Sequence, residues 1–385
     1  MSDDKIKINR TRLLCEFIRL TSFDSESFNE KRISEYLKVK LKELGLKVET
    51  DTVGELLKEI SPGLTGTTSN IYATLKGNKN IPSILFSAHM DTVKPGNGKK
   101  AVIHQDGKIT SKGNTVLGAD DVSGLVSLIE ALTVIKENSI NTGDIEIVLT
   151  VAEEPYCVGS RYLLYDKIKS KEGYVLDLNG TVGRAALAAP SILSISIKVN
   201  GKSAHAGFSP AQGINALSIA AGALANLKTG HVYEDVTVNF GTIIGGTGKN
   251  IVPETVEIEG EIRSLEHEKA IAETEKIRTE FERFAREYGG SVEVTVTEQL
   301  HSYRVIKERN VVKRFIKAAR EAERCIKPEC IDTFGGSDAN RLNKNGIETI
   351  VLACGMENCH STGEYTSIEE LEKSTELTLR LMTAD

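Results

Sequence analysis

The run Ile-Leu-Phe-Ser-Ala-His-Met-Asp, residues 84–91, decides how the chain is read. An unbroken apolar stretch of strand length ends abruptly in an imidazole and a carboxylate, and that pattern recurs. Residues 148–154 read Val-Leu-Thr-Val-Ala-Glu-Glu, residues 174–177 read Tyr-Val-Leu-Asp, and residues 351–360 carry Val-Leu-Ala-Cys-Gly-Met-Glu-Asn-Cys-His. Continuous apolar runs fit strands buried on both faces, as in a parallel sheet covered by helices. In such sheets the carboxyl ends of the strands border the ligand crevice, so polar residues distant in sequence converge there. A further acidic pair, Asp120-Asp121, precedes a helical pattern over 122–135.

Taken singly, these residues have ordinary explanations. A strand-end histidine serves as scaffold, Asp-Asp before a helix caps its first turn, and Glu-Glu before Pro155 makes a solvated turn. Together they place five carboxylates and two histidines at one sheet edge, an arrangement that repels itself unless a multivalent cation compensates. Imidazole mixed with carboxylate and without thiolate favours zinc, and a bridging carboxylate favours a pair of ions.

Around this framework, 385 residues exceed one compact core and fit about two domains. Apolar spacing at Ile33, Tyr36, Leu37, Leu41 and Leu44 predicts a helix ending at Gly45, and 161–169 predicts a shorter one. From about residue 187 the order changes. A strand over 191–199, a helix over 213–227, strands over 236–244 and 255–263, a helix over 266–288 and a strand over 291–298 give the βαββαβ order of a ferredoxin-like sandwich. Helices over 311–324 and 367–382 and a strand over 348–353 then resume the first pattern. The expectation is an α/β catalytic domain over 1–187 and 300–385, with a small α+β domain over 188–299 inserted.

Composition narrows the function. A net charge of −6, from 48 Lys and Arg against 54 Asp and Glu, shows no basic block suited to nucleic acid. The charged start, residues 1–5, is unlike a signal peptide, and no apolar run reaches membrane-spanning length, so a cytoplasmic protein without a membrane partner is expected. Six scattered cysteines are expected to be reduced thiols.

The segments Ser-Ala-His-Met-Asp-Thr-Val (87–93), Leu-Gly-Ala-Asp-Asp (117–121), Thr-Val-Ala-Glu-Glu-Pro (150–155), Gly-Lys-Ser-Ala-His-Ala-Gly (201–207), Gly-Gly-Thr-Gly-Lys-Asn-Ile-Val-Pro (245–253) and Gly-Gly-Ser-Asp-Ala-Asn (335–340) resemble the dizinc exopeptidase superfamily of peptidase T, glutamate carboxypeptidase and acetylornithine deacetylase. The wording is nearest its peptidase T-like branch. The resemblance implies a zinc-exopeptidase sheet flanked by helices, with the insertion as a lid or dimerisation domain. It also implies two Zn2+, with Co2+ or Mn2+ able to serve: His89 and Asp177 on one ion, Glu154 and His360 on the other, and Asp120 bridging. It casts Glu153 as general base, Asp91 as orienter of the His89 ring, and the Asp120–Asp121 peptide as cis. His205 steadies the oxyanion, and Asn250, Arg263, Ser337 and Asp338 contact substrate, with Glu364 supporting the site. The implied activity is release of the N-terminal residue from tripeptides, with homodimer pairing through the inserted domain as the implied assembly; N-acyl amino acid deacylation or carboxypeptidase action is the alternative. Where the superfamily has Lys after the Asp-Asp pair, this chain has Val122.

Overall fold

The structure, a computed structural model, describes residues 7–60 and 68–383; the charged start of the chain lies outside them. The backbone divides into two compact units, one of Met1–Ala188, Arg304–Thr333 and Ser337–Asp385, the other of Ala189–Tyr303 and Phe334–Gly336.

At the centre of the first unit lies a mixed sheet, nine-stranded among the described residues. Strand Ile84–His89 runs parallel to Ile145–Thr150 on one side and to Glu172–Leu178 on the other, and Glu348–Ala353 runs parallel to Glu172–Leu178. These are the apolar runs of the sequence. Every residue of Ile84–His89 and of Ile145–Thr150 is buried, as parallel strands covered on both faces require. Ile71–Leu75 extends the sheet antiparallel beyond Ile145–Thr150, and Arg184–Ala189 lies antiparallel to Glu348–Ala353. Helix Ala119–Glu137 is apolar nearly all round and correspondingly buried, packing on Ile368–Thr383 and Arg10–Thr21.

Two local expectations change. Residues 161–169 do not form one helix: a single turn at Val158–Arg161 is followed by a 3-10 turn at Tyr165–Lys167. Side chains intercept the backbone there, since the Tyr165 hydroxyl donates to the Ser160 carbonyl at 2.7 Å and the Leu164 N–H donates to the Tyr72 hydroxyl oxygen at 2.8 Å. At helix Ala119–Glu137 the N-cap is Gly118 rather than an aspartate, and Asp120 and Asp121 have non-helical backbone, joined by the cis peptide that the resemblance implies. Capping falls to Asp121 alone, whose Oδ1 accepts the Gly124 N–H at 3.1 Å.

The second unit has a five-stranded antiparallel sheet. Its order is Gly230–Tyr233, Val236–Gly245, Thr255–Ser264, Ser191–Asn200, Ser291–Leu300. Without the edge strand Gly230–Tyr233, which the sequence did not signal, this is the βαββαβ sandwich. Leu193, Ile195, Ile197 and Val199 alternate inward along the first strand and meet Ile277 and Phe281 of helix His267–Tyr288 in one core. That helix stops at Gly289, whose left-handed backbone (φ 76°) closes the last turn.

Candidate metal centre

The parallel strands deliver their carboxyl ends to one edge. His89 is the last residue of its strand, Asp177 is the last but one of its own, and Glu153 and Glu154 follow Thr150 in a tight turn. That turn is held from outside. Asp91 accepts the N–H of Glu153 on Oδ1 at 2.9 Å and the N–H of Glu154 on Oδ2 at 3.3 Å, while the Ser27 hydroxyl donates to the same Oδ2 at 2.7 Å. The neighbouring Ala152 N–H goes to Glu30 Oε1 at 2.9 Å. On the opposite side, Glu364 accepts the N–H groups of Gly118 and Asp120 at 2.7 and 2.9 Å, fixing the loop that presents Asp120.

Asp120 stands between two imidazoles. Its Oδ1 lies 3.0 Å from His89 Nε2 and its Oδ2 lies 3.2 Å from His360 Nε2. Asp177 Oδ1 is 3.6 Å from the same nitrogen of His89, and Glu154 Oε2 is 2.9 Å from that of His360. The contacts therefore fall into two sets that share one carboxylate. His89 with Glu153 and Asp177, and His89 with Asp120 and Glu154, are groups whose ligand-type atoms lie within 4.8 Å of one another. The other ring nitrogen of His89, Nδ1, faces the main-chain carbonyl of Asp91 at 3.0 Å; the Asp91 carboxylate is farther, at 3.4 Å. Asp91 thus faces the ring with both its carbonyl and its carboxylate, and the carboxylate also holds the Glu153-Glu154 turn.

Electrostatics fit a cation. Burial, then repulsion from Asp120, pushes Glu154 up, and burial takes Asp177 to about 7. Burial opposes the charge on Asp120 too, but hydrogen bonds from His360 and His89 outweigh it and hold that carboxyl below its usual range. The same contacts with Asp120 and Glu154 carry His360 to about 11. Protons on the imidazoles thus compensate the clustered acids where a divalent ion would. Glu154 Oε1 is buried without a hydrogen-bond partner, an acceptor suited to a metal.

Glu153 is buried, and burial followed by the charge of Asp177 drives its carboxyl well above the ordinary range. Its Oε1 accepts the Cys157 thiol at 3.0 Å. Asp338, Glu153 and Cys157 form a further buried group, with Asp338 Oδ2 accepting the Thr150 hydroxyl at 2.5 Å. Cys157 carried no motif in the sequence, and only its four-residue spacing from Glu153 across the turn hints at the contact. The Ser337 hydroxyl accepts the Ala339 N–H at 3.3 Å and caps helix Asp338–Lys344, so both Ser337 and Asp338 are engaged inside the unit.

His205, Asn250 and Arg263 belong to the other unit. His205 is exposed at a turn, its Nδ1 accepting the N–H groups of Gly207 and Phe208 at 3.1 and 3.0 Å. It bridges Ile251, while the Asn250 carbonyl accepts the Ala206 N–H at 3.0 Å, so the His205 turn and the Asn250 loop are side by side. Arg263 is half-buried, pairing with Glu261 at 2.7 Å and donating to the Phe334 carbonyl at 2.9 Å.

Comparison with known proteins supplies the context. Residues 85–384 match the description peptidase family M20/M25/M40. The crystal structure of aminopeptidase PepT from Bacillus cereus ATCC 10987 superposes with a TM-score of 0.88 at 39 % identity, covering 98 % of both chains. A tripeptidase from Staphylococcus aureus subsp. aureus mu50 superposes with a TM-score of 0.92 at 36 % identity, again covering 98 % of each. The Bacillus subtilis protein YqjE, uncharacterised, is 39 % identical over 97 % of this chain and 98 % of its own.

Proposed function

We propose that this chain, which belongs to the peptidase M20/M25/M40 family, is an aminopeptidase that removes the N-terminal residue of short peptides, tripeptides above all. The similarity to aminopeptidase PepT and to the staphylococcal tripeptidase supports that specificity over deacylation of N-acyl amino acids. The observation that carries the reading is the Asp120 carboxylate, one oxygen on each of two imidazoles, with Asp177 beside one and Glu154 beside the other.

His89, Asp177, Glu154 and His360 would hold two divalent ions, Zn2+ by the donor set, with Asp120 common to both. When bound, such a pair acidifies a water to a pKa of about 7 and polarises the scissile carbonyl. Glu153 accepts the proton of the attacking water and delivers it to the departing amine nitrogen. Its burial suits it to that exchange, because burial and the charge of Asp177 hold the carboxyl well above the ordinary range, so it takes up a proton more readily than a solvated carboxylate. The Cys157 thiol donates to Glu153 Oε1 and so helps to position that oxygen. The Asp91 carboxylate sets the backbone of Glu153 and Glu154.

The same proposal takes residues 188–299 as a lid, with His205, Asn250 and Arg263 meeting substrate. It also takes the protein as a cytoplasmic homodimer paired through that insertion, supported by the exposed apolar Phe208, Ile243 and Ile244. No helix of the described residues is long and apolar enough to cross a membrane. Metal analysis followed by assay on di-, tri- and tetrapeptides and N-acetyl amino acids tests the activity. Release of the N-terminal residue from tripeptides is expected; turnover of the acyl substrates alone would overturn it.

A further inference from the structure

In sequence, His267 and His301 stand without a motif and are expected at the surface. In the structure both are partly exposed and their rings stack, with centroids 4.1 Å apart and planes 33° apart, over a common acidic partner. Glu298 Oε2 lies 3.4 Å from His301 Nδ1 and 3.7 Å from His267 Nε2. The three side chains are partly sheltered, with exposures of 20, 32 and 36 % for His267, Glu298 and His301. All three belong to the inserted unit.

We propose that His267, Glu298 and His301 form an additional metal site that takes a divalent transition ion of the zinc, nickel or copper class. Two imidazoles and a carboxylate are the donors those ions select, whereas Mg2+ and Ca2+ select oxygen. The spacing agrees. Tetrahedral bonds of roughly 2.0 to 2.1 Å place neighbouring donors about 3.3 to 3.4 Å apart, close to the 3.4 and 3.7 Å seen here.

An outer contact is also in place. His267 Nδ1 lies 2.9 Å from Ser191 Oγ, which already accepts the Ser302 N–H at 2.8 Å. The second lone pair of that oxygen is open to the Nδ1–H of the tautomer in which Nε2 would coordinate, the arrangement a metal-bound histidine uses. Ser191 opens the unit's first strand, His301 directly follows its last strand, and His267 starts its long helix. A bound ion would clamp the two ends of the inserted chain to the helix between them.

The test uses the full-length protein, stripped with chelator and dialysed against Zn2+ of known free concentration, with bound metal counted per chain. The wild type is expected to bind one ion more than a H267N/H301N variant whose circular dichroism is unchanged. D120A, which alters the Asp120 centre, is expected to keep that ion. Ser191→Ala should weaken it roughly 10- to 100-fold without lowering the saturated count. Equal stoichiometry and affinity in wild type and H267N/H301N would overturn the site, leaving an ordinary histidine–glutamate pair. Because the count is independent of turnover, this result and the aminopeptidase assay can fail separately.

Discussion

Loading the Asp120 centre should expel protons, and the number follows from its contacts. Without metal, His360 is held at about 11 by its bonds to Asp120 and Glu154. Burial disfavours the charge on His89, but its bonds to Asp120 and Asp177 outweigh burial and keep it well above the usual imidazole range. Both rings are therefore protonated at pH 7. If the proposed ions bind through the Nε2 atoms that face Asp120, those rings must be neutral, so two protons would leave. Asp177, lifted to about 7 by burial, contributes up to about half a proton more. The sign is then unambiguous: the empty centre binds more protons than the loaded one throughout the neutral range, so acid weakens metal binding. With two or more protons displaced, the combined association constant should rise about 100-fold or more per pH unit between pH 6 and 8. Isothermal titration of Zn2+ at pH 7, in buffers of different ionisation enthalpy, reads the proton count from the slope of heat against buffer enthalpy. A slope near zero would refute the reasoning, since it would mean neutral imidazoles before metal arrives. His360→Ala should lower the count by about one.

Glu153→Gln should retain metal in full while lowering kcat by about 100- to 10,000-fold; loss of metal in that variant would transfer Glu153 to the ligand set. Asp91→Asn leaves one acceptor oxygen where the Glu153 and Glu154 amides and the Ser27 hydroxyl now converge on two. It should cost about 1 to 3 kcal/mol in urea unfolding, and unchanged stability would show those bonds to be dispensable. Gly159→Ala would bring a methyl within 2.1 Å of the Val151 carbonyl and 2.7 Å of Asn70 Oδ1. Because backbone cannot yield as a side chain does, a loss of about 1 to 3 kcal/mol is expected, and a neutral thermal shift would contradict the packing described.

Much of the fold and of the candidate site is legible in the sequence. The runs ending at His89, Glu154 and Asp177 read as buried strands because a parallel strand needs apolar residues on both faces, and composition alone exposes that. The ferredoxin-like order was equally plain, since antiparallel strands with one covered face alternate. Strand neighbours were not legible: nothing in Ile84–His89 says that it lies between Ile145–Thr150 and Glu172–Leu178. Short strands such as Gly230–Tyr233 escape because four residues carry too little periodicity. Asp120 and Asp121 looked alike in sequence, yet one caps the helix and the other faces the two imidazoles, a division set by the backbone between them. The partnership of Cys157 with Glu153 and the stacking of His267 on His301 are tertiary contacts that local pattern does not encode.

The placement of Asp91 bears on which sequences could replace this one. If its carboxylate served only to orient the His89 ring, any short acceptor, or none, could stand there, because the ring nitrogen already has the Asp91 carbonyl. Instead three donors from residues 27, 153 and 154 terminate on it. The position is thus bound to two other parts of the chain at once. A substitution at 91 cannot be repaired at 89; it would need a compensating change near Ser27 or in the Glu153-Glu154 turn. In a lineage of such chains, the acidic residue two places after the histidine should change only in step with those segments.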